Sequence, residues 1–172
     1  FINKIDNYNF DIKDILGSIQ EYSPRPLVIR QIPMRKGENI IGTADVIHER
    51  AYEYGKDKPS QIVKIPEELS SLRNEIREKM LETLADFDDT LMEKILEDLP
   101  TSNEEIYANL KKDIISNKIS EVLTGSAENE TGIHRLLKSI RHDCPSHEKT
   151  IKRNELNITS DTACVQAFKT NF

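Results

Sequence analysis

Asn3, Lys4 and Asp6, the polar members of an Asn-Lys-Ile-Asp run, carry the chain's clearest chemistry. The run follows the apolar pair Phe1-Ile2, as a loop leaving a buried strand does, and such a loop is well placed to meet a ligand. The carboxylate of Asp6 can accept two hydrogen bonds, from the N1–H and the 2-amino group of a guanine. Adenine has no amino group at that edge and would leave the carboxylate unpaired. The stem of Lys4 can lie along the base plane with its ammonium in water, and Asn3 can tie this loop to others around the nucleotide. So short a pattern recurs by chance, and alone it describes any polar loop after a strand.

A second stretch gives it weight. Gly125-Ser126-Ala127 is preceded by Ile119 to Thr124 and followed by Thr131 to Asp143, a strand, small-residue turn and helix in succession. Backbone N–H groups of this turn, and Ser126, can reach the guanine oxygen that adenine lacks. The two loops would then read opposite parts of one base. Two other clusters could hold a cation. His142, Cys144, His147 and Cys164 have the residue types of a zinc site but irregular spacing. Asp86, Asp88, Asp89 and Glu93 read as a solvated turn between helices rather than paired carboxylates for acid-base work.

The elements that position these residues follow from the apolar pattern. Ile12, Ile15, Leu16, Ile19 and Tyr22 share one helical face with Asp11 as its cap, and this helix should pack on the opening strand. Pro24 and Pro26 stop it. Leu27 to Ile32 reads as one strand, Asn39 to Tyr54 as a meander or hairpin interrupted by Gly42, and Ser60 to Ile65 as a short strand after the turn Gly55 to Pro59. Pro66-Glu67-Glu68 opens the longest helix, since proline suits a first turn and acidic side chains complement the helix dipole. Its stripe is Leu69, Leu72, Ile76, Met80, Leu84 and Phe87. A second helix runs through Leu91, Met92, Ile95 and Leu96 to Pro100. Ser102 with Glu105 forms a capping box for a third, carrying Ile106, Leu110, Ile114 and Ile115. Thr131 is the expected cap of a last helix with Ile133, Leu136, Leu137 and Ile140 on its apolar face, closed by Pro145. Ser146 to Thr159 is charged and aperiodic like a linker, and Ala163 to Phe168 alternates like a strand.

At 172 residues and 37% hydrophobic content the chain can bury one good core and a small second one. Its net charge of −6, with Lys and Arg interleaved among Glu and Asp, argues against a broad nucleic-acid-binding face. Two cysteines suggest no disulfide framework, and there is no signal peptide or apolar run of membrane length; the expected compartment is the cytoplasm. The chain begins in mid-strand without methionine and stops directly after a strand pattern, as an excerpt would. About ninety residues with their own strands and helices separate the two base loops, where a plain guanine-nucleotide domain needs only a short connection. That stretch reads as an inserted subdomain.

The order Phe-Ile-Asn-Lys-Ile-Asp, insert, Gly-Ser-Ala, helix and proline resembles translation elongation factor G from its fourth guanine motif through its fifth. Gly42-Thr43-Ala44-Asp45-Val46, Ile65-Pro66-Glu67-Glu68 and Leu91-Met92-Glu93-Lys94 sit at that family's landmarks. Glu49-Arg50-Ala51-Tyr52, Leu84 to Asp89 and Leu136 to His142 are closer to its divergent elongation factor G-like branch.

The resemblance implies an α/β fold: the C-terminal part of a P-loop, Rossmann-like GTPase domain with an inserted α+β subdomain, plus the first strand of a following β-barrel domain. It assigns residues 1–23 and 118–145 to the GTPase domain, 24–117 to the insert, 146–160 to a linker and 161–172 to the barrel. It implies that Asn3, Lys4 and Asp6 match the guanine-specificity motif and Ser126 and Ala127 the fifth motif, with GTP or GDP as ligand, while Glu128 stands at a variable position. The ribosome is the implied partner, with the ribosomal stalk protein as the contact of the insert. The family's phosphate loop, switches, switch histidine and Mg²⁺ site are not among these residues, and no G-x-x-x-x-G-K-[ST] occurs. The implied parent is a GTPase and this segment alone is inactive. The alternative is a stand-alone interaction module derived from such a GTPase, binding a protein through the insert's helices.

Overall fold

The computed structural model describes residues 1–6, 11–55 and 58–146. The expected linker from His147 onward, the terminal strand, and His147 and Cys164 lie outside them.

Asp11 opens the first helix, α1 (Ile12–Gln20), by accepting the Lys13 N–H at 2.8 Å. Only part of its apolar stripe is covered. Ile12 and Leu16 join the core and Lys13 reaches Glu75 of the long helix, whereas Ile19 and Tyr22 remain exposed.

The run Leu27 to Ile32 is two strands, not one. β1 (Leu27–Ile29) pairs in parallel with β6 (Ser120–Val122), Leu27 opposite Ser120 and Ile29 opposite Val122. β2 (Gln31–Lys36) belongs to another sheet. The change occurs at Arg30, whose N–H donates to the Val122 carbonyl and whose own carbonyl accepts from Val46, so its backbone serves both sheets. A strand-like run carries no sign of such a partner exchange. Part of the stretch 24–117 therefore lies on the sheet of the Gly125 turn.

The second sheet is antiparallel, in the order β2, β3 (Asn39–Asp45), β4 (Ala51–Gly55), β5 (Lys58–Val63). Lys36 faces Asn39 across a two-residue turn, and Gly37 at φ +62° supplies the positive dihedral such a hairpin needs. The strand-like reading of Asn39 to Tyr54 breaks between β3 and β4. There the Asp45 carboxylate accepts the N–H groups of Ile47 and His48 at 2.9 and 2.8 Å and turns the chain.

The helices are α2 (Glu67–Ala85), α3 (Asp89–Leu96), α4 (Asn103–Ile115) and α5 (Ile133–His142). Asp88 caps α3 through the Leu91 N–H and also pairs with Lys112 at 2.5 Å, so its acidity has a structural use. Ser102 accepts the Glu105 N–H, but Glu105 bonds Lys94 through both oxygens instead of returning to Ser102; the capping box is half made. Ile76, Met80 and Leu84 of α2, Leu91 of α3, and Ile106 and Leu110 of α4 form one core with Ile32, Met34, Ala44, Val46 and Ile47. Each of the larger side chains, the Ile, Leu, Met and Val residues, contributes about 1.5–3 kcal/mol through burial. No helix among the described residues is long and apolar enough to cross a membrane.

Candidate functional site

β6 runs on through Leu123 and Thr124, and Ile2 lies against that extension: its N–H donates to the Leu123 carbonyl at 2.8 Å and its carbonyl accepts from Gly125 at 3.0 Å. This bridge is parallel. Two parallel segments end at the same edge, so Asn3–Asp6 and Gly125–Ala127 leave the sheet side by side, where open α/β sheets bind ligands.

Side chains then join the loops. The Asn3 carboxamide oxygen accepts the Ala127 N–H at 2.9 Å, and the Ile5 N–H donates to the Gly125 carbonyl at 3.3 Å. Ile5 is buried and anchors the first loop from below, while Lys4 stands exposed beside it in a left-handed conformation, φ +60°. The Asp6 carboxyl is kept below its usual range, most of all by the nearby Ser126 hydroxyl, then by hydrogen bonding to the backbone and the charges of Lys4 and Arg35, against the effect of burial. One oxygen, Oδ1, is enclosed without a donor among the described residues. A carboxylate kept ionised with an unused lone pair is an acceptor suited to a ligand's N–H groups.

Ser126 is 1% exposed, and its N–H and carbonyl pair with Thr131 at 2.9 and 3.0 Å. The Ser126 hydroxyl accepts the Asn129 N–H at 3.4 Å, and the Ser126 and Ala127 N–H groups are bonded within the protein. Sequence reasoning brought these groups within reach of the base oxygen; in the structure the loops are set against each other by Asn3 on the Ala127 N–H and by the Ile5 N–H on the Gly125 carbonyl.

Thr131 does not cap α5. Its backbone is committed to Ser126, and the cap position is Gly132 at φ +78°. A Cβ on Gly132 would come within 2.4 Å of the Thr124 carbonyl, and one on Gly125 within 2.5 Å of the Thr131 carbonyl. The two glycines let strand, turn and helix close on one another. Gly132 was legible as a turn residue directly before an apolar helix, but the hydroxyl of Thr131 drew the assignment. Arg35 was missed altogether: its guanidinium donates to the Ile5 carbonyl at 2.6 Å from the far side of the loop.

A separate cleft of about 300 Å³ lies between the two sheets, lined among others by Arg30, Asp45, Tyr107, Glu121 and Arg135, and by none of the base-loop residues. Arg30 bonds Asp45 at 3.2 Å and approaches Glu121 at 3.5 Å, while Ser139 donates to Glu121 at 2.6 Å. Burial pushes the Glu121 carboxyl up, against the Ser139 hydrogen bond. Burial, then donation to Asp143, pushes the Tyr107 phenol up to about 12. This network joins the sheets. Among the described residues no group of three or more His, Cys, Asp or Glu could hold a metal ion.

No family model matches the chain. An elongation factor G-like protein of Synechocystis is 35% identical over 173 residues, which span 100% of this chain and 26% of that relative. A crystal structure from Thermus thermophilus matches with a TM-score of 0.72 at 25% identity, over 84% of this chain and 21% of that one. The chain is therefore homologous over its whole length to an elongation factor G-like protein and spans about a quarter of it.

Proposed function

We propose that this chain is part of an elongation factor G-like translational GTPase and supplies its recognition of guanine. The observation that carries the reading is the Oδ1 of Asp6, enclosed without a donor among the described residues, on a loop that Asn3 ties to the Gly125 turn. Asn3, Lys4, Asp6, Ser126 and Ala127 form the base end of a GTP or GDP site. Asp6 selects guanine, Lys4 lies along the base, and Asn3 and Ser126 hold the loops that carry them.

In this reading residues 1–23 and 118–145 belong to a GTPase domain, 146–160 are a linker and 161–172 open a β-barrel. The pairing of β1 with β6 supports opening the insert near Arg30 rather than at residue 24. Phosphate and Mg²⁺ contacts come from parts of the parent protein outside this sequence, so the segment alone does not hydrolyse GTP. The parent acts on the ribosome in the cytoplasm. The acidic faces between Glu67 and Glu105, with exposed Leu96 and Leu99 at the end of α3, are the surface offered to the ribosomal stalk protein. Reversal of several of these charges is expected to weaken stalk-dependent GTP turnover; unchanged turnover would remove that assignment.

The base assignment is tested by displacing a fluorescent GDP analogue from the full-length protein. Leaving a buried polar group unpaired costs about 1–3 kcal/mol, so GDP should compete at least roughly tenfold better than ADP. Equal competition would contradict the reading.

A further inference from the structure

The guanine-reading loop is held from two directions, and only one of them is the Gly125 turn. The other is Arg35, the fifth residue of β2, an edge strand of the four-stranded sheet. Its guanidinium donates to the carbonyl of Ile5, the residue immediately before Asp6, at 2.6 Å in a half-buried setting. Its charge also lies close enough to Asp6 to favour the ionised carboxylate.

Local irregularities in the sheet aim it there. The pairing of β2 with β3 slips between Met34 and Arg35: Met34 faces Gly42 while Arg35 faces Ile40, leaving Ile41 as the extra residue. Such a bulge increases the local twist and redirects the side chain beside it. Gly42 permits the close packing at this point, since a Cβ there would lie 2.3 Å from the Tyr52 carbonyl and 2.9 Å from the Met34 methyl carbon. On the loop side, Lys4 occupies a left-handed conformation that costs energy in a residue with a side chain and persists only when its surroundings hold it. The Ile5 N–H on Gly125 fixes one side of that bend, and Arg35 on the Ile5 carbonyl fixes the other.

We propose that Arg35 is a positioning residue for base recognition, through which the placement of the four-stranded sheet sets how firmly and how selectively Asp6 holds guanine. The inference rests on the reading of Asp6 as the guanine-selecting residue.

The test compares the full-length protein with Arg35→Met, Arg35→Lys and Asp6→Asn variants, using GDP, IDP, which lacks the 2-amino group, and XDP. Arg35→Met is expected to weaken GDP about tenfold, as loss of a charge-assisted hydrogen bond does, chiefly through faster dissociation, and to narrow the preference for GDP over IDP. Arg35→Lys restores part of both. A change in mere fold stability would lower the active fraction without altering the GDP-to-IDP ratio in that fraction, so an unchanged ratio overturns the inference. Asp6→Asn separates the two levels. A shift toward XDP with no effect of Arg35→Met leaves the base reading standing and removes the role of Arg35, whereas no shift toward XDP removes both.

Discussion

The helical packing around α2 and the pair of loops around Asp6 are built on opposite terms. The first is held by area: Leu84, Leu91, Ile106 and Leu110 are fully enclosed. The second is held by close approach, through carbonyls within 2.5 Å of where glycine Cβ atoms would stand, one carboxamide on one N–H, and a left-handed lysine. Its flanking helix buries little, and Leu137 and Ile140 of α5 stay exposed. Area tolerates small displacements and close approach does not. The loop pair is therefore the place where a small shift changes what can be bound.

Substitutions sharpen this contrast. Leu84→Ala in the enclosed core should cost about 2–5 kcal/mol, read from the shift of a urea unfolding midpoint. Gly132→Ala, though it removes nothing, should cost about 1–3 kcal/mol because φ +78° and the Thr124 carbonyl both oppose a side chain, and should weaken GDP binding in the full-length protein. Gly17→Ala is its counterpart: in α1 with no atom within 4 Å of the added methyl, it should raise stability by about 0.5–1 kcal/mol. If Gly132→Ala were as benign as Gly17→Ala, close approach would not be what holds the loops.

Acid distinguishes the two regions more gently and with opposite sign. Lys112 first, then the Leu91 N–H, hold the Asp88 carboxyl below its usual range, so its contribution is complete above about pH 4, the ordinary carboxyl value, and is lost as pH falls through the folded value. Glu121 is raised, chiefly by burial, so its contribution is complete below about pH 4.3 and is lost as pH rises through the folded value. Asp88→Asn should flatten the acid limb of stability against pH, by a few tenths of a kcal/mol given the half-exposed Lys112. Glu121→Gln should flatten the limb above it. Identical profiles for both variants and the parent chain would contradict these environments.

Much of this was legible in the residues. Asp11, Ser102 and Pro66 marked helix starts because caps act over a few residues, and the stripe from Ile76 to Leu84 marked the buried face because helical period is a local property. Two short motifs far apart in the chain marked the loops and a tying role for Asn3, while its partner, the Ala127 N–H, is a finding of the structure. What was not legible depends on neighbours remote in sequence. Arg30 changes sheets inside a stretch whose pattern reads as one strand, and nothing local distinguishes Arg35 from any polar residue alternating along a strand. Glu105 has the spacing of a capping box, yet Lys94 offered its carboxylate a charge where Ser102 offered a neutral N–H. Thr131 has the right type for a cap, but the backbone pairing with Ser126 used it first.

The central claim is that Asp6 reads guanine, and the most direct test is the nucleotide preference of the Asp6→Asn variant of the full-length protein. An amide supplies a donor where the carboxylate supplied an acceptor, which is complementary to the 2-carbonyl of xanthine. The account predicts that XDP displaces a fluorescent nucleotide from the variant better than GDP, the reverse of the parent protein. A variant that keeps its preference for GDP unchanged would contradict it.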